Sequence, residues 1–214
     1  MHSTTQKISD SLPSGEAAIL KAAEVLFAEK GFDAVSIRAI AEKAAVCKAN
    51  VFHHYGSKDG LYLAVLRSAV SESKHILEEL EGTSGDQRER LRQFAGRHLT
   101  SILDHQHVSR LILREALEGG SERGKELAEK VVGESYTRIV DLCRDGQKSG
   151  ELRPELDPAL VATLMVAANV FFFEAASVLK HIPEIQFSDN PQGYSTGVMD
   201  ILLNGMTSKR ENDR

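Results

Sequence analysis

Residues 36–58 constrain this chain more than any other stretch, because they predict two short helices joined by a tight turn. Apolar residues recur there at the i, i+3, i+4 and i+7 spacing of one helix face, namely Ile37, Ile40, Ala41 and Ala44. Ser36 stands just before this run, where its hydroxyl can accept hydrogen bonds from the free amides of a first helical turn. A second short helix is predicted at about residues 48–55.

The second of these helices has few apolar anchors. Val51 and Tyr55 fall on one side and leave a polar and aromatic face outside, formed by Lys48, Asn50, Phe52, His53 and His54. Such a helix makes a poor core element, but it suits insertion into the DNA major groove as the second helix of a helix-turn-helix.

The neighbouring sequence makes this pattern more specific. The stretch KANVFHHYGSK, preceded by AAILKAAEVLFAEKGFDAVSIRAIA and followed by DGLYLAVL, resembles the tetracycline-repressor (TetR) family of bacterial regulators. The resemblance is close over roughly the first 70 residues, and the rest fits an all-helical partner domain. Two residues depart from the family pattern: Ala45 replaces the usual turn glycine, and Cys47 replaces a common serine or threonine. Both changes are expected to alter turn strain and phosphate contact.

The resemblance and the exposed face together nominate the DNA-binding residues Ser36, Cys47, Lys48, Ala49, Asn50, Phe52, His53, His54 and Lys58. Lys48 opens the second helix and can reach phosphate or a guanine edge. Phe52 stands where the family usually has tyrosine, so it keeps an apolar contact and loses a hydrogen bond to phosphate. Lys58 begins the next helix, where amides and dipole also favour phosphate. The alternatives are a solvated face on a structural helix pair and, for Cys47, an oxidant-sensing thiol.

The charge distribution supports DNA binding at one end only. The net charge is −5, yet residues 1–60 hold seven basic and seven acidic side chains, so the acidic excess lies in the remainder. Within residues 36–58, Arg38, Lys43, Lys48 and Lys58 oppose Glu42 alone. A local basic patch on an acidic body fits a nucleic-acid contact confined to this segment.

The cysteine positions and the lengths of the apolar stretches indicate the compartment of the protein and whether it spans a membrane. The two cysteines lie far apart in sequence, and the N-terminus has no apolar signal core, so a cytoplasmic protein is expected. The longest apolar run, Ala159–Phe173, falls short of the roughly 20 residues that a membrane span needs. A buried helix is therefore predicted here, and no membrane partner.

The whole chain is predicted to be all-α, with about nine helices and no convincing strand pair. The predicted domains are a disordered tail over 1–13, a helix-turn-helix domain over 14–60, an effector-binding and dimerisation domain over 61–208, and a tail over 209–214. Long helices are expected at about 123–149, 158–180 and 194–206. The 181–193 segment, with its two prolines, is predicted to be a loop.

The last two predicted helices carry more apolar surface than one core can cover. The 158–180 helix is apolar nearly all round, and the 194–206 helix repeats the pattern on a smaller scale. The surplus predicts a homodimer interface that includes Val198, Ile201 and Leu202. The resemblance implies the same, since the last two long helices form a four-helix dimer bundle in that family. The alternative is a fully intramolecular core.

An effector pocket is expected among the helices of the second domain. The candidate lining residues are Phe94, His98, Ile102, Leu113, Met165, Asn169 and Phe172. They combine aromatic and aliphatic walls with a few polar groups, as ligand pockets usually do. Plain core packing is the alternative for each of them. His98 and Asn169 are the sharper candidates, because a polar group on an apolar face needs a partner.

Other site chemistries find little support. The stretch GGSERGK at 119–125 has P-loop spacing, but it follows a helical pattern and has Glu126 where Ser or Thr should bind magnesium. His98 and His105 would lie about 10 Å apart along a helix, too far to share one ion. We therefore expect no metal, no cofactor and no catalytic residue.

The resulting hypothesis is a ligand-responsive regulator, most simply a repressor, that binds a palindromic DNA operator as a homodimer and responds to a small apolar effector. One alternative is an enzyme or small-molecule-binding protein that uses the second domain, with a vestigial DNA-binding motif. Another is an accessory protein that binds DNA without any effector.

Overall fold

The computed structural model of the protein describes residues 15–81 and 85–206, and within these ranges the chain is helical without strands. The all-α prediction is confirmed. The helices are α1 Gly15–Ala34, α2 Ile37–Lys43, α3 Lys48–Tyr55, α4 Lys58–Glu81, α5 Gln87–Asp104, α6 Gln106–Glu118, α7 Gly120–Leu127, α8 Gly133–Lys148, α9 Pro158–Leu179 and α10 Pro191–Met206. The predicted tails and residues 82–84 lie outside the described ranges.

One predicted long helix is interrupted in the structure. A π-helical turn, Ala128–Val132, joins α7 to α8 without a break in the helical chain. With α7, the π turn and α8 counted as one, the described residues form nine helical segments, as predicted. The segment begins at Gly120, slightly before the predicted start at residue 123. Gly120 has φ +69°, a left-handed conformation that separates α6 from α7.

The chain divides into two compact units at the boundary between Val65 and Leu66, and α4 contributes to both. This boundary lies slightly after the expected one at residues 60–61. In the first unit, α1, α2 and α3 pack on one another. Phe27 and Tyr62 meet edge to face at 5.0 Å between ring centroids, and Phe32 lies 4.8 Å from Tyr62. Gly31, at φ 77°, ends the regular part of α1.

The second unit has its core around α5, which packs against α8, α9 and α10. The buried residues of this core are Ile76, Leu77, Leu80, Leu91, Phe94, Ala95, Ile139, Val140, Leu142, Cys143, Leu152, Val161, Ala162, Met165, Met199 and Leu203. The apolar spacing on α5 and α8 produces one buried stripe on each helix, which is why both can pack on α9.

Helix α10 begins three residues earlier than the sequence predicted. Residues 191–193 were predicted to belong to a loop, but α10 begins at Pro191. The Asn190 side-chain oxygen accepts a hydrogen bond from the Gly193 amide at 2.9 Å, and Pro191 fills the first helical position. The same arrangement starts α9, where Asp157 accepts from the Ala159 amide at 2.9 Å ahead of Pro158.

By length and composition alone, α9 could cross a membrane. It has 22 residues and contains a window of mean hydropathy 1.9. The apolar run in the sequence ends at Phe173, whereas the helix continues to Leu179. Length therefore does not exclude a span. The packing of α9 against α5, α8 and α10 makes it a core helix of the second unit.

Candidate DNA interface and effector cavity

The turn between α2 and α3 sets the geometry of the candidate DNA interface. Ser36 caps α2, and its hydroxyl accepts from the Ala39 amide at 3.1 Å, as expected. The Val46 amide donates to the Ala41 carbonyl at 3.0 Å and closes the turn. Ala45 has φ 55°, and it is the one non-glycine residue with positive φ among those the structure describes. The left-handed conformation that glycine adopts freely is thus imposed here on an alanine.

The exposed face of α3 matches the face predicted from the sequence. Val51 is buried and anchors the helix, while Phe52 keeps 49% of its surface exposed. The remaining candidates on this helix, all exposed, are Lys48, Ala49, Asn50, His53 and His54. In addition, the Tyr55 hydroxyl donates to the Glu16 carbonyl at 3.1 Å and ties the end of α3 to α1. This anchor was not identified from the sequence, where Tyr55 was assigned to the inner face on spacing alone.

Cys47 is the residue immediately before α3 and is exposed. Its thiol donates to the Asn50 side-chain oxygen at 3.4 Å. A serine at a helix start accepts from the backbone amides of the first turn, whereas the Cys47 side chain caps none. The thiol therefore holds Asn50 rather than the helix start.

The two lysines expected to contact phosphate have different surroundings. The Lys58 ammonium lies 4.3 Å from the centroid of the Phe32 ring and donates to the Asp33 carbonyl at 3.4 Å. Its position at the start of α4 is thereby fixed. Lys48 has no ion-pair or hydrogen-bond partner within the described ranges. Arg38, part of the predicted basic patch, is paired with Glu42 at 2.7 Å, so the patch carries less free positive charge than its sequence suggests.

The second unit contains a cavity of about 280 Å³. Its apolar walls are Ala69, Val70, Ile102, Ile112, Leu113, Ala116, Leu127, Val132, Ile139, Val166, Val170 and Phe173. Its polar lining consists of Ser73, His98, Ser101, Ser109, Ser135 and Tyr136. No charged side chain borders it among the described residues. The volume and the apolar lining suit a small organic molecule.

Three of the seven predicted pocket residues line this cavity: His98, Ile102 and Leu113. The other four do not, because Phe94, Met165, Asn169 and Phe172 are buried in the core. On α9, the cavity wall is formed by Val166, Val170 and Phe173 instead, each one residue further along the helix. The helix is thus rotated by about 100° from the predicted orientation, since each residue turns an α-helix by that angle.

Asn169 lies behind the cavity wall and fixes the state of His98. Its side-chain nitrogen donates to the Ala95 carbonyl at 2.9 Å and lies 3.0 Å from Nδ1 of His98. A backbone carbonyl can only accept, so the Asn169 atom that faces it is the NH2 group. That group has no acceptor, so Nδ1 of His98 must accept and the ring proton resides on Nε2.

The His98 ring is neutral at physiological pH. Burial disfavours its charged form and lowers its pKa from 6.5 to about 4. The Phe94 ring stacks on it at 5.4 Å between centroids. His98 is therefore a neutral hydrogen-bond donor in the cavity wall.

The comparisons with known proteins cover both units. A sequence profile described as "Bacterial regulatory proteins, tetR family" matches residues 19–65. A second profile, "Tetracyclin repressor-like, C-terminal domain", matches residues 88–195, half of the chain. The chain belongs to the TetR family. It is accordingly a DNA-binding transcription regulator with a helix-turn-helix unit and a helical C-terminal unit.

Relatives and solved structures agree with this membership. The transcriptional regulator RutR of Escherichia coli K12 is 28% identical over 212 residues, which is 95% of each chain. The transcriptional repressor KstR2 of Mycolicibacterium smegmatis is 26% identical over 67% of this chain and 70% of its own. The structure of the fatty acid degradation regulator FadR from Bacillus halodurans shares the fold, with TM-score 0.73, 17% identity and coverage of 91% and 97%.

This TetR-family regulator exposes an apolar stripe on α9. Leu160, Leu164, Phe171 and Val178 are exposed, and their i, i+4, i+11 and i+18 spacing places them on one helix face. On α10, Ile201 is 75% exposed. The other two predicted interface residues, Val198 and Leu202, are half-buried, and Leu202 packs against the core of its own unit. The side chain of Met206, another apolar residue of the predicted 194–206 helix, lies outside the described part of the structure.

The surroundings of the second cysteine disfavour thiolate chemistry in the second unit. Cys143 is buried, and burial raises the pKa of its thiol to about 12. Within the described ranges, no group of three or more His, Cys, Asp or Glu side chains could hold a metal ion.

Proposed function

We propose that the protein is a ligand-responsive repressor that binds a palindromic operator as a homodimer. A cavity in the unit that follows the DNA-binding unit carries this proposal, because it offers a site for a regulatory ligand. A palindromic site follows from the two-fold symmetry of a homodimer with one recognition helix per subunit. Family and relatives are transcription regulators, so we propose no catalytic activity, and we propose that the protein acts on the chromosome in the cytoplasm.

DNA recognition would be shared between the exposed face of α3 and the helix starts on either side. Lys48 supplies a free positive charge at the beginning of α3, and His53 and His54 extend the polar face along its last turn. Ser36 and Lys58, at the starts of α2 and α4, would contact phosphate. Cys47, Ala49, Asn50 and Phe52 would complete the surface. Phosphate contacts fix register, whereas contacts with base edges determine sequence preference.

The DNA part of the proposal can be tested with two lysine variants. Each phosphate contact releases counterions, so Lys48→Ala should weaken operator binding and reduce the slope of log K against log salt by about 1. Lys125→Ala, on exposed α7, removes the same charge outside the DNA-binding unit and should leave the slope unchanged. Fluorescence anisotropy of a labelled operator over a salt series measures both. Equal slopes for the parent and Lys48→Ala would contradict the assignment.

The dimer would form through α9 and α10. The stripe on α9 and the exposed Ile201 leave apolar surface that one subunit does not cover. A second copy would cover it with the same stripe, as an isologous interface requires. Joining two half-sites in this way raises operator affinity, because the second binding event becomes intramolecular.

The effector would be a small, largely apolar molecule in the cavity of the second unit. The mostly aliphatic and aromatic lining supports this class, and the name of the similarly folded FadR refers to fatty acid degradation. The effector must bind more tightly to the conformation that cannot bind DNA, because a ligand with equal affinity for both conformations would leave their equilibrium unchanged. The operator itself can be selected from genomic fragments.

Operator release tests the location of the effector site. Hydrophobic metabolites are screened for loss of anisotropy from the labelled operator. Val170→Phe reduces the cavity volume and should blunt release by an active compound, whereas Leu117→Phe, at an exposed position of α6, should not. If Val170→Phe responds like the parent, the effector site lies elsewhere. A protein that binds no genomic fragment selectively would instead support the enzyme or carrier alternative.

A further inference from the structure

Four polar groups in the cavity wall have no hydrogen-bond partner among the residues that the structure describes. Ser73, Ser101 and Ser135 are only 8%, 6% and 7% exposed, and the described residues provide no hydrogen-bond partner for their hydroxyls. Nε2 of His98, a half-buried residue of the same wall, also has no partner among the described residues, and its other ring nitrogen is occupied by Asn169. Buried polar groups in proteins are nearly always hydrogen-bonded. These four therefore indicate a place where a bound molecule supplies the missing partner.

The chemistry of these groups limits what that partner can be. Asn169 holds the imidazole in the tautomer whose Nε2–H is a donor, and burial keeps the ring neutral. Ser101 lies three residues after His98 on α5, hence beside it on the same helix face. A hydroxyl can donate or accept, so the set offers one fixed donor and several adaptable groups. It offers no formal charge.

An ionised ligand group would be poorly accommodated here. No side chain of opposite charge lines the described cavity. A carboxylate or ammonium moved from water into such a site loses its hydration without gaining an ion pair. An uncharged oxygen loses much less hydration free energy when it enters the cavity, and a hydrogen bond to the protein compensates for that loss.

We propose that the effector is an uncharged molecule whose carbonyl or hydroxyl oxygen accepts the Nε2–H of His98 while its apolar part fills the remaining cavity. Asn169 acts as a positioning residue, since it sets the His98 tautomer without bordering the cavity. The inference depends on the proposed function only in taking this cavity as the effector site.

The main rival is an organic acid whose head group lies at the edge of the cavity. The Arg110 guanidinium lies 5.6 Å from the centroid of the Phe173 ring, and Phe173 lines the cavity. An acid with its carboxylate on Arg110 would use the same apolar walls. Arg110 is exposed, so such a pair would be screened by water and salt.

A matched set of probes on one phenylbutyl skeleton distinguishes these ligands. Butyrophenone carries a neutral carbonyl, butylbenzene has no acceptor, 4-phenylbutanoate is an anion and 4-phenylbutylamine is a cation. Their dissociation constants are measured on the full-length protein without DNA by ligand-observed NMR. One hydrogen bond to a buried donor should give butyrophenone an advantage of roughly tenfold over butylbenzene, and both ions should bind more weakly than the ketone.

Variants assign that advantage to His98. In His98→Phe, butyrophenone and butylbenzene should bind equally, because the donor is gone and the apolar walls remain. The proposal is overturned if butyrophenone has no advantage in the parent, if no probe binds up to its solubility limit, or if 4-phenylbutanoate binds most tightly. In the last case, loss of the acid in Arg110→Gln would establish the rival.

The tautomer gives a second test, whose decisive measurement uses the parent protein alone. Long-range 1H–15N correlation spectra of the parent should show His98 with a protonated Nε2 and an unprotonated Nδ1. In Asn169→Leu, the two tautomers should mix and the ketone advantage should shrink, although His98 is still present. A proton on Nδ1 in the parent would refute the proposal.

The outcomes separate this inference from the proposed function. Probe binding is measured without DNA, whereas repression is measured by operator binding and release. Operator release by compounds of any charge, without a ketone preference in the cavity, would refute the inference and leave the repressor proposal intact. A ketone preference without operator release by any ligand would support the assigned chemistry of the cavity and refute the repressor proposal.

Discussion

Replacing Ala45 by glycine should stabilise the first unit, although the change removes a methyl group. Ala45 adopts φ 55° in the turn between α2 and α3. The left-handed conformation costs an L-residue about 1–2 kcal/mol, because Cβ approaches the following carbonyl oxygen. Ala45 is exposed, so little apolar burial is lost with its methyl group.

Two terms determine the size of the effect. Glycine removes the strain of about 1–2 kcal/mol. It also widens the conformational freedom of the unfolded chain, which opposes folding by about 0.4–1 kcal/mol. The net gain for Ala45→Gly should therefore lie between about 0 and 1.6 kcal/mol, with a central value of about 0.8 kcal/mol. For a chain of this size, a gain of about 0.8 kcal/mol raises Tm by roughly 2–3 °C.

A second glycine variant tests the sign of the change in stability that is expected for Ala45→Gly. Ala49 is also exposed but lies within α3, where glycine should destabilise the helix by about 1 kcal/mol. Native-state hydrogen exchange of the α2 and α3 amides measures the local free energy of opening, and thermal unfolding gives the change in Tm. Opposite signs for Ala45→Gly and Ala49→Gly are expected. Equal destabilisation by both would refute the claim that the turn is strained.

Three further changes test other parts of the structure. Because the pKa of His98 is lowered in the folded protein, the unfolded chain binds a proton more readily at this residue. The free energy of unfolding should therefore fall from pH 6.5 towards about pH 4, by up to about 1.4 kcal/mol per pH unit. Denaturant unfolding at several pH values should show a smaller fall for His98→Phe. Ile201→Glu should yield monomers or aggregates by light scattering at micromolar concentration, whereas Thr196→Glu, on another face of α10, should remain dimeric. Arg67 donates to the Lys130 carbonyl inside the π turn at 2.8 Å; Arg67→Met should therefore speed amide exchange in that turn, corresponding to about 1 kcal/mol, and unchanged exchange would contradict a stabilising role.

The helix-turn-helix could be predicted closely because its signals are local. The Ser36 cap, the apolar spacing of α2 and the single anchor Val51 on α3 are each specified within a few residues. Sequence spacing alone could not supply the backbone conformation of the turn. It was the absence of the family's usual glycine at Ala45 that indicated strain there.

Outside the helix-turn-helix, a helix boundary could be predicted only where residues next to it in the sequence mark it. The Asn190-Pro191 pair that starts α10 has the same chemistry as Asp157-Pro158, so its helix start was available in the sequence and was missed. The π turn at Ala128–Val132 has no such signal. Its residues continue an ordinary helical pattern, and the Arg67 side chain that bonds to it comes from a distant part of the chain.

The position of the cavity could not be predicted because α9 is apolar on nearly every face. Amphipathic spacing fixes the rotation of a helix only when one side is polar. The sequence therefore allowed either Met165 and Phe172 or their successors Val166 and Phe173 to face the cavity. Packing against α5, α8 and α10 selects the second set.

Asn169 shows how a correct physical rule can lead to an incomplete assignment. The rule that a polar group on an apolar helix needs a partner identified both Asn169 and His98. The sequence could not show that each is the other's partner, since they lie 71 residues apart. Because Asn169 uses its amide on Ala95 and His98, it is removed from the cavity, and the Nε2–H of His98 is left as the group that can face a ligand. The chemistry of the cavity is therefore determined by a residue that does not line it, and substitutions at position 169 should change ligand preference more than cavity volume.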